Sequence, residues 1–358
     1  MTDARPLVIV SDEALLDEIL RLAAAVGCAV ERAPDLAAAG SAWARAPLVL
    51  VDEDVIEGEV ALPRRARVLL VTKGAPETAT WERAFAAGVQ EVVSLPDGEG
   101  KLVSALADVA EGPSVPGGSV VGVIGGRGGA GASVFAAALG LAAGDDAALL
   151  VDCDPLGGGL DLVLGAESAA GARWPQLGLD GGRVPMATLR SALPEHRHRL
   201  GRVPFVSCDR FGDGPSPEGL ASVVDAGRRA GKVVVCDLPR HLGRSSLAVV
   251  ERADLIAVVV PAEVRACAAA RRVVEGLGDR ADRAHLVVRG PAPGKLMPED
   301  AEKNVGIPLL TSMAPERYLD RYLETGEFVP RPRSPLIIAA RIVLATLREQ
   351  TALCEAAA

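Results

Sequence analysis

No two of the six cysteines, Cys28, Cys153, Cys208, Cys236, Cys267 and Cys354, stand at metal-ligand spacing, so the sequence holds no structural zinc motif. Cys153 and Cys236 lie inside apolar runs, where a buried free thiol is the plain reading, and the pattern suits a reducing cytoplasm. No uncharged apolar stretch reaches the roughly 20 residues needed to span a bilayer. The longest candidate, ADLIAVVVPAEV, is stopped by Pro261 and Glu263 and reads as a buried strand. The start, MTDARPLVIVSDE, carries acidic residues where a signal peptide needs a basic and then a long apolar region. Positive charge is short as well. A formal net charge of -9 argues against a nucleic-acid partner, which wants concentrated positive surface. These absences predict a cytoplasmic protein.

With 358 residues, 49% of them hydrophobic, the chain is long enough for two domains with separate cores. In the first third, short apolar runs at Pro6 to Val10, Ala29 to Arg32, Ala46 to Val51, Arg67 to Val71 and Val89 to Leu95 alternate with helical patterns. Such alternation predicts an open, mostly parallel sheet covered on both faces. Functional side chains gather at the carboxyl ends of strands in these sheets, and Asp12, Glu13, Asp52 and Thr72 fall there. The arrangement resembles the receiver domain of two-component systems. That resemblance implies a flavodoxin-like fold in which Asp12 and Glu13 stand near the Mg²⁺-holding acidic pair, Asp52 at the phosphate acceptor and Thr72 at the threonine position. The family's Lys-Pro is Leu95-Pro96 here. Leucine cannot pair with a phosphoryl group. The domain is therefore expected to be kept for partner contacts, with phosphotransfer at Asp52 as the alternative. Acidic residues also commonly end strands for turn chemistry alone.

A Gly, Pro and Ser cluster, Glu111-Gly-Pro-Ser-Val-Pro-Gly-Gly118, reads as a linker. The expected division is a receiver-like domain over 1–112, a linker over 113–118 and a second domain over 119–358. The second domain opens with the strand Ser119 to Ile124, a loop Gly125-Gly-Arg-Gly-Gly-Ala-Gly-Ala-Ser133 and an alanine-rich helix from Val134 to Ala143. Strand, glycine turn and helix is the context of a phosphate loop, where glycines let N–H groups converge on an anion at a helix start. Gly126, Gly131 and Ser133 stand at its spacing, with Gly128, Gly129 and Ala130 between them, and Ala132 occupies the lysine position. A glycine turn that merely packs helix on sheet is the structural alternative.

Two further segments extend the pattern. One is Ala147 to Gly165, containing Asp152-Cys-Asp154-Pro and Gly158-Gly-Leu-Asp161, and the other is Lys232-Val-Val-Val-Cys-Asp237-Leu-Pro239. With the loop and the strand Leu255 to Val260, they resemble the MinD/ParA group of deviant Walker ATPases. The likeness is strongest to the CpaE-type members and to actinobacterial septum-site-determining relatives. It implies a SIMIBI-type P-loop fold. It further implies that Ser133, Asp152 and Asp237 face Mg²⁺, that Asp152 and Asp154 position the attacking water, and that ATP lies along Gly126 to Ser133. It implies a nucleotide-dependent homodimer as well. Three positions depart from the family. Its signature lysine is Arg127, which keeps the charge with a rigid fork. The second lysine is Ala132. The base-contacting asparagine after Leu286-Val-Val288 is Arg289. These losses imply weak ATP binding or slow hydrolysis.

The remaining segments say less. His196-Arg-His-Arg199 lacks a nearby ligand set, so no metal site is read there; the resemblance implies a partner-facing or effector region around it, with a solvated basic turn as the alternative. The last helix, Ser334 to about Glu349, has no Trp or Phe and only Arg341 and Arg348 as basic residues. Strong interfacial binding wants more of both, so it reads as the closing helix of the core, and membrane contact is expected to be weak or indirect. The role implied by resemblance is spatial control of septum placement, through protein partners in the division machinery and with recruitment to the septum or inner membrane face. The alternative is a nucleotide-independent scaffold in a Tad-type pilus or secretion machine.

Overall fold

A computed structural model describes residues 5–57, 63–111, 115–179, 182–212 and 214–357. Part of the expected linker, residues 112–114, lies outside the described residues, as does the side chain of Cys354. The chain divides into two units, Met1–Ser114 and Val115–Ala358.

In the first unit the order is β1 (Leu7–Ile9), α1 (Glu13–Ala25), β2 (Glu31–Arg32), α2 (Leu36–Arg45), β3 (Val49–Val51), β4 (Val68–Lys73), α3 (Thr78–Ala87), β5 (Glu91–Leu95) and α4 (Glu99–Glu111). The strands pair in parallel in the order β2-β1-β3-β4-β5. Side chains alternate across a strand, so each run feeds two cores. Val8, Leu50 and Val71 pack toward α1 and α4, while Leu7, Val49 and Leu70 pack toward Trp43 of α2 and Ala84 of α3. Helix starts follow side-chain capping: Asp12 accepts from Leu15 N at 2.9 Å and Asp35 from Ala38 N at 2.7 Å.

The second unit begins with β6 (Ser119–Gly125), α5 (Ala132–Ala143) and β7 (Ala148–Asp152). Four short helical and strand pieces then follow α6 (Leu160–Leu164): α7 (Trp174–Leu177), α8 (Met186–Ala192), β8 (Glu195–His198) and β9 (Gly201–Val206). The chain continues through α9 (Pro217–Arg229), β10 (Val233–Leu238), α10 (Arg244–Arg252), β11 (Leu255–Pro261), α11 (Val264–Gly276) and β12 (Ala284–Arg289). It ends with α12 (Pro298–Val305), β13 (Leu309–Met313), α13 (Leu319–Glu324) and α14 (Pro335–Ala357). The sheet order is β13-β12-β11-β6-β10-β7-β9-β8, parallel except for β8 against β9.

Alternation again separates two helix layers. Val120, Ile124, Val234 and Ile256 face α9, α10 and α11, while Val121, Val123, Val235 and Val259 face α5 and α14. Phe135 of α5 is fully buried in the second layer, and truncating such a ring typically costs about 3–5 kcal/mol. Leu336, Ile337, Val343 and Leu347 of α14 join the same core, so the last helix closes the fold as its apolar stripe requires. Among the described residues, no helix is long and apolar enough to cross a membrane.

One local alternative, the basic turn, is corrected. The basic run at His196 is a strand: His196 pairs with Val203 and His198 with Gly201 in the antiparallel β8–β9 ribbon. The rings of His196 and His198 stack at 6.3 Å. Alternating His and Arg conceal the period of a strand because the sequence there has no apolar face to reveal it.

Candidate functional site

β6 delivers the glycine loop to the carboxyl edge of the second sheet. Gly126 N still donates to Val259 O at 2.9 Å, and a Cβ at Gly126 would lie 2.6 Å from Ala270 Cβ. That closeness is the physical reason for glycine here. Gly129 (φ 69°) and Gly131 (φ 96°) adopt the left-handed region that side chains resist. Gly128 meets nothing within 4 Å, so its glycine is not dictated by space. Gly131 caps α5 without a side-chain hydrogen bond. The first N–H groups of a helix without a cap suit an anion. Ala130 is buried, and Ala132 and Ser133 are half-buried at the first turn of α5.

Below the loop, Asp152 and Asp237 are register partners on adjacent strands. Both are buried. Burial, and next the charge of Asp152, pushes the Asp237 carboxyl well above the usual carboxylate range, while a hydrogen bond from the Ser133 hydroxyl opposes the shift. Asp152 is pushed up by burial too, yet its oxygens are occupied. Oδ2 accepts from Leu160 N (3.1 Å), Cys208 N (3.1 Å) and Ser207 Oγ (3.0 Å), and Oδ1 accepts from Asp154 N (3.1 Å). Asp152 thus ties β7 to α6 and to the end of β9. Asp154 turns its own loop, accepting from Leu156 N at 3.0 Å.

Asp161 is buried beside them and takes a two-pronged contact from Arg210, at 2.9 and 3.0 Å, with Arg173 Nε at 3.4 Å. Burial raises its pKa, but Arg210 and Arg173 outweigh that and hold it below the usual range. Ser207 bridges Asp152 and Asp161, at 3.0 and 3.2 Å. Ser207 and Arg210 are the functional residues that sequence reasoning missed. Their signal was polar residues ending the run Val203-Pro-Phe-Val206, and Pro204 hid the strand.

Two guanidiniums border the loop. Arg127 donates to Gly128 O (2.9 Å) and pairs with Glu263 Oε1 (3.2 Å). Arg289, at the end of β12, reaches Gly129 O at 3.4 Å. Its nearest terminal nitrogen is 3.3 Å from where a Gly131 Cβ would stand.

In the first unit, Asp52 is buried, with Oδ2 accepting from Ser11 N and Asp12 N and Oδ1 from Val55 N at 3.3 Å. Both oxygens of Asp12 accept from Lys73 Nζ at 2.6 Å, and that bond holds the Asp12 carboxyl below its ordinary range. Glu13 is exposed on the first turn of α1, outside this cluster. Thr72 is buried and donates to Gly74 O at 3.0 Å. Lys73, one residue beyond Thr72, escaped sequence reasoning because the receiver resemblance places its lysine after β5.

Comparison with known proteins places both units. The family described as Rv3660c-like, CheY-like N-terminal domain matches residues 9–117. The uncharacterized protein Rv3660c of Mycobacterium tuberculosis (strain ATCC 25618 / H37Rv) is 44% identical over 345 residues, 94% of this chain and 96% of that one. Among solved structures, the ParA family ATPase from Chlorobium tepidum TLS superposes with a TM-score of 0.55 at 16% identity, over 64% of this chain and 100% of the other. The cell division ATPase MinD of Pyrococcus furiosus gives 0.52 at 19% identity, over 65% and 99%. Likeness at such identity concerns the fold. The chain belongs to the family of Rv3660c, with a CheY-like N-terminal domain followed by a P-loop domain of MinD/ParA fold.

Proposed function

We propose that the P-loop domain binds Mg²⁺-ATP weakly, hydrolyses it slowly and acts in the spatial regulation of septum placement. The observation that carries this reading is the separation of charge at the loop. Asp237 and Asp152 are buried side by side, and two guanidiniums border the glycine loop. A buried carboxylate pair without a counter-charge is costly. A cation between the carboxylates and an anion against the arginines would relieve both. Ser133 and Asp237 fit Mg²⁺: a hydroxyl and a buried carboxylate whose pKa is raised by burial and by Asp152. When bound, Mg²⁺ would neutralise the carboxylates and stabilise charge on the phosphate oxygens. Asp152 organises the site and Asp154 is the candidate for orienting water. Arg127 is the candidate for acting across an ATP-dependent homodimer, exchanging Glu263 for phosphate. The working division of the chain is a receiver-like domain over 1–112, a linker over 113–118 and the P-loop domain over 119–358.

The place in division rests on relatives: the Pyrococcus furiosus protein is named a cell division ATPase, and one from Aquifex aeolicus a MinD cell division protein, at a TM-score of 0.50 and 22% identity. Cytoplasmic residence with recruitment to the septum or inner membrane face, through partners of the division machinery, belongs to the same proposal. A second reading has one observation behind it. Asp152 is fully hydrogen-bonded by its own chain, as suits a nucleotide-independent scaffold, for instance in a Tad-type pilus or secretion machine.

Calorimetric titration of ATP with and without Mg²⁺, followed by sedimentation, separates the two. The nucleotide reading expects Mg²⁺-dependent binding that Asp237→Asn abolishes, and a larger species with ATP. Absence of binding under both conditions would leave the scaffold.

A further inference from the structure

We infer that Arg289 is the phosphate-holding cation of this site, standing in for the charge that Ala132 lacks, and that the ligand is held by its polyphosphate with little regard for its base. The inference rests on the nucleotide reading above and assigns the ligand chemistry within it.

Position comes first. Arg289 is level with Pro261 across β11–β12, and its carbonyl accepts from Ala262 N at 2.9 Å. The side chain therefore starts from a fixed point at the carboxyl edge of the sheet. From there its guanidinium extends to the glycine loop, 3.4 Å from Gly129 O and 3.3 Å from the missing Cβ of Gly131. A side chain at Gly131 would crowd the guanidinium as well as strain a backbone at φ 96°. The loop geometry and the arginine thus fit each other.

The state of its charge comes second. A guanidinium carries five N–H donors. Among the described residues, Arg289 makes a single long hydrogen bond, to Gly129 O, and no ion pair. Arg127 differs, because Glu263 neutralises it at 3.2 Å. Arg289 is half-buried; burial and then the neighbouring charge of Arg127 lower its pKa, and the charges of Glu263 and Asp320, neither of them in ion-pair contact with it, oppose the shift without cancelling it. A half-buried cation beside a like charge calls for an anion. The uncapped start of α5 faces the same loop, and Arg127 Nε is a buried donor with no partner. These donors together match phosphate oxygens, which a planar fork engages in pairs.

The base follows from the donor inventory. A guanidinium only donates, whereas an amide both donates and accepts. Arg289 therefore cannot accept from the exocyclic amine of adenine; the base contact left to a guanidinium is donation to guanine O6 and N7, and here its fork is turned to the loop instead.

The test titrates the full chain in Mg²⁺ with inorganic tripolyphosphate, ATP and GTP. The wild type is expected to bind all three, with ATP and GTP within about 3-fold of each other. Arg289→Ala is expected to lose about 10- to 100-fold toward every one, the range of a charge-assisted hydrogen bond. The double variant Arg289→Ala with Ala132→Lys is expected to regain tripolyphosphate. Melting curves confirm that each variant is folded. Loss of ATP with retention of tripolyphosphate in Arg289→Ala would make the residue a base contact and overturn the proposal. So would full retention of all three ligands in Arg289→Ala beside their loss in Arg127→Ala, with the nucleotide reading intact. A wild type that binds none of the three overturns both.

Discussion

At the end of β1, Asp12 is held by Lys73 at 2.6 Å. At the ends of β7 and β10, Asp152 and Asp237 stand side by side, with no basic side chain in hydrogen-bonding or ion-pair contact among the described residues. Both sheets are parallel at these strands and both gather acid at their carboxyl edges, yet they settle the charge differently. The first unit carries its cation at the end of β4, two strands along the sheet from β1, and pairs it with Asp12. The second keeps Asp152 and Asp237 buried without such a contact and has the guanidiniums of Arg127 and Arg289 at its glycine loop; in the proposed nucleotide reading a bound cation and anion complete it. An architecture for collecting charge that both sheets share therefore does not specify whether the site is open; the location of one basic side chain does.

The largest expected effect tests what an internal counter-charge is worth when buried. Asp161 lies beside Asp152 but is satisfied by Arg210, Arg173 and Ser207. Asp161 is buried but Arg210 is 38% exposed, so the cost is expected to lie between the roughly 1 kcal/mol of a surface pair and the about 3–5 kcal/mol of a buried one. Asp161→Ala is expected to destabilise the P-loop unit on that scale, measured by denaturant unfolding. Trp174 is a local probe, since it is buried and its Nε1 donates to Asp152 O at 2.7 Å. A loss below about 1 kcal/mol, the range of a surface pair, would mean that Arg210 finds water readily and that this network is not the lock of the site.

A smaller effect is expected at Ala132, where a lysine would give the second site a cation of its own. Ala132 is only half-buried at the first turn of α5, so the loop has room for a longer side chain. Ala132→Lys is expected to tighten Mg²⁺-ATP by about 10-fold, the low end for a charge-assisted bond. Unchanged binding with a lower melting point would show that the lysine is buried unpaired, and would blur the distinction between an open and a closed site.

Much of this was legible in the sequence, and the illegible part has a common cause. The strands of the second sheet announce themselves as apolar runs because both faces are covered, and the loop, Asp152 and Asp237 follow from their order along the chain. Spacing does not encode reach. Nothing in Leu286-Val-Val-Arg289 says that the arginine extends to Gly129, 160 positions earlier. Likewise, Lys73 meets Asp12 across 61 positions. The β8–β9 ribbon was missed for a local reason, since Pro204 and the alternating His and Arg obscure the apolar period. In each case an element with one buried face was readable, and a long polar side chain crossing between elements was not.

The smallest expected effect is none at all. If the first unit is complete as folded, a phosphodonor should leave it unchanged. A nucleophilic Asp52 would need an oxygen open to the donor, but Asp52 is 4% exposed. Backbone N–H groups of Ser11, Asp12 and Val55 already occupy its oxygens. A divalent cation would need Asp12, which Lys73 holds, and position 95 offers leucine in place of an ammonium group. Incubating the full chain with acetyl phosphate and Mg²⁺ is therefore expected to leave its intact mass unchanged. A stoichiometric adduct that disappears in Asp52→Asn would break the comparison, because both units would then be open sites. The variant Lys73→Ala sharpens it. An adduct in that variant alone would assign the closure to the ion pair. No adduct in either protein would assign it to the backbone bonds around Asp52, which hold the carboxylate whether or not the cation beside it remains.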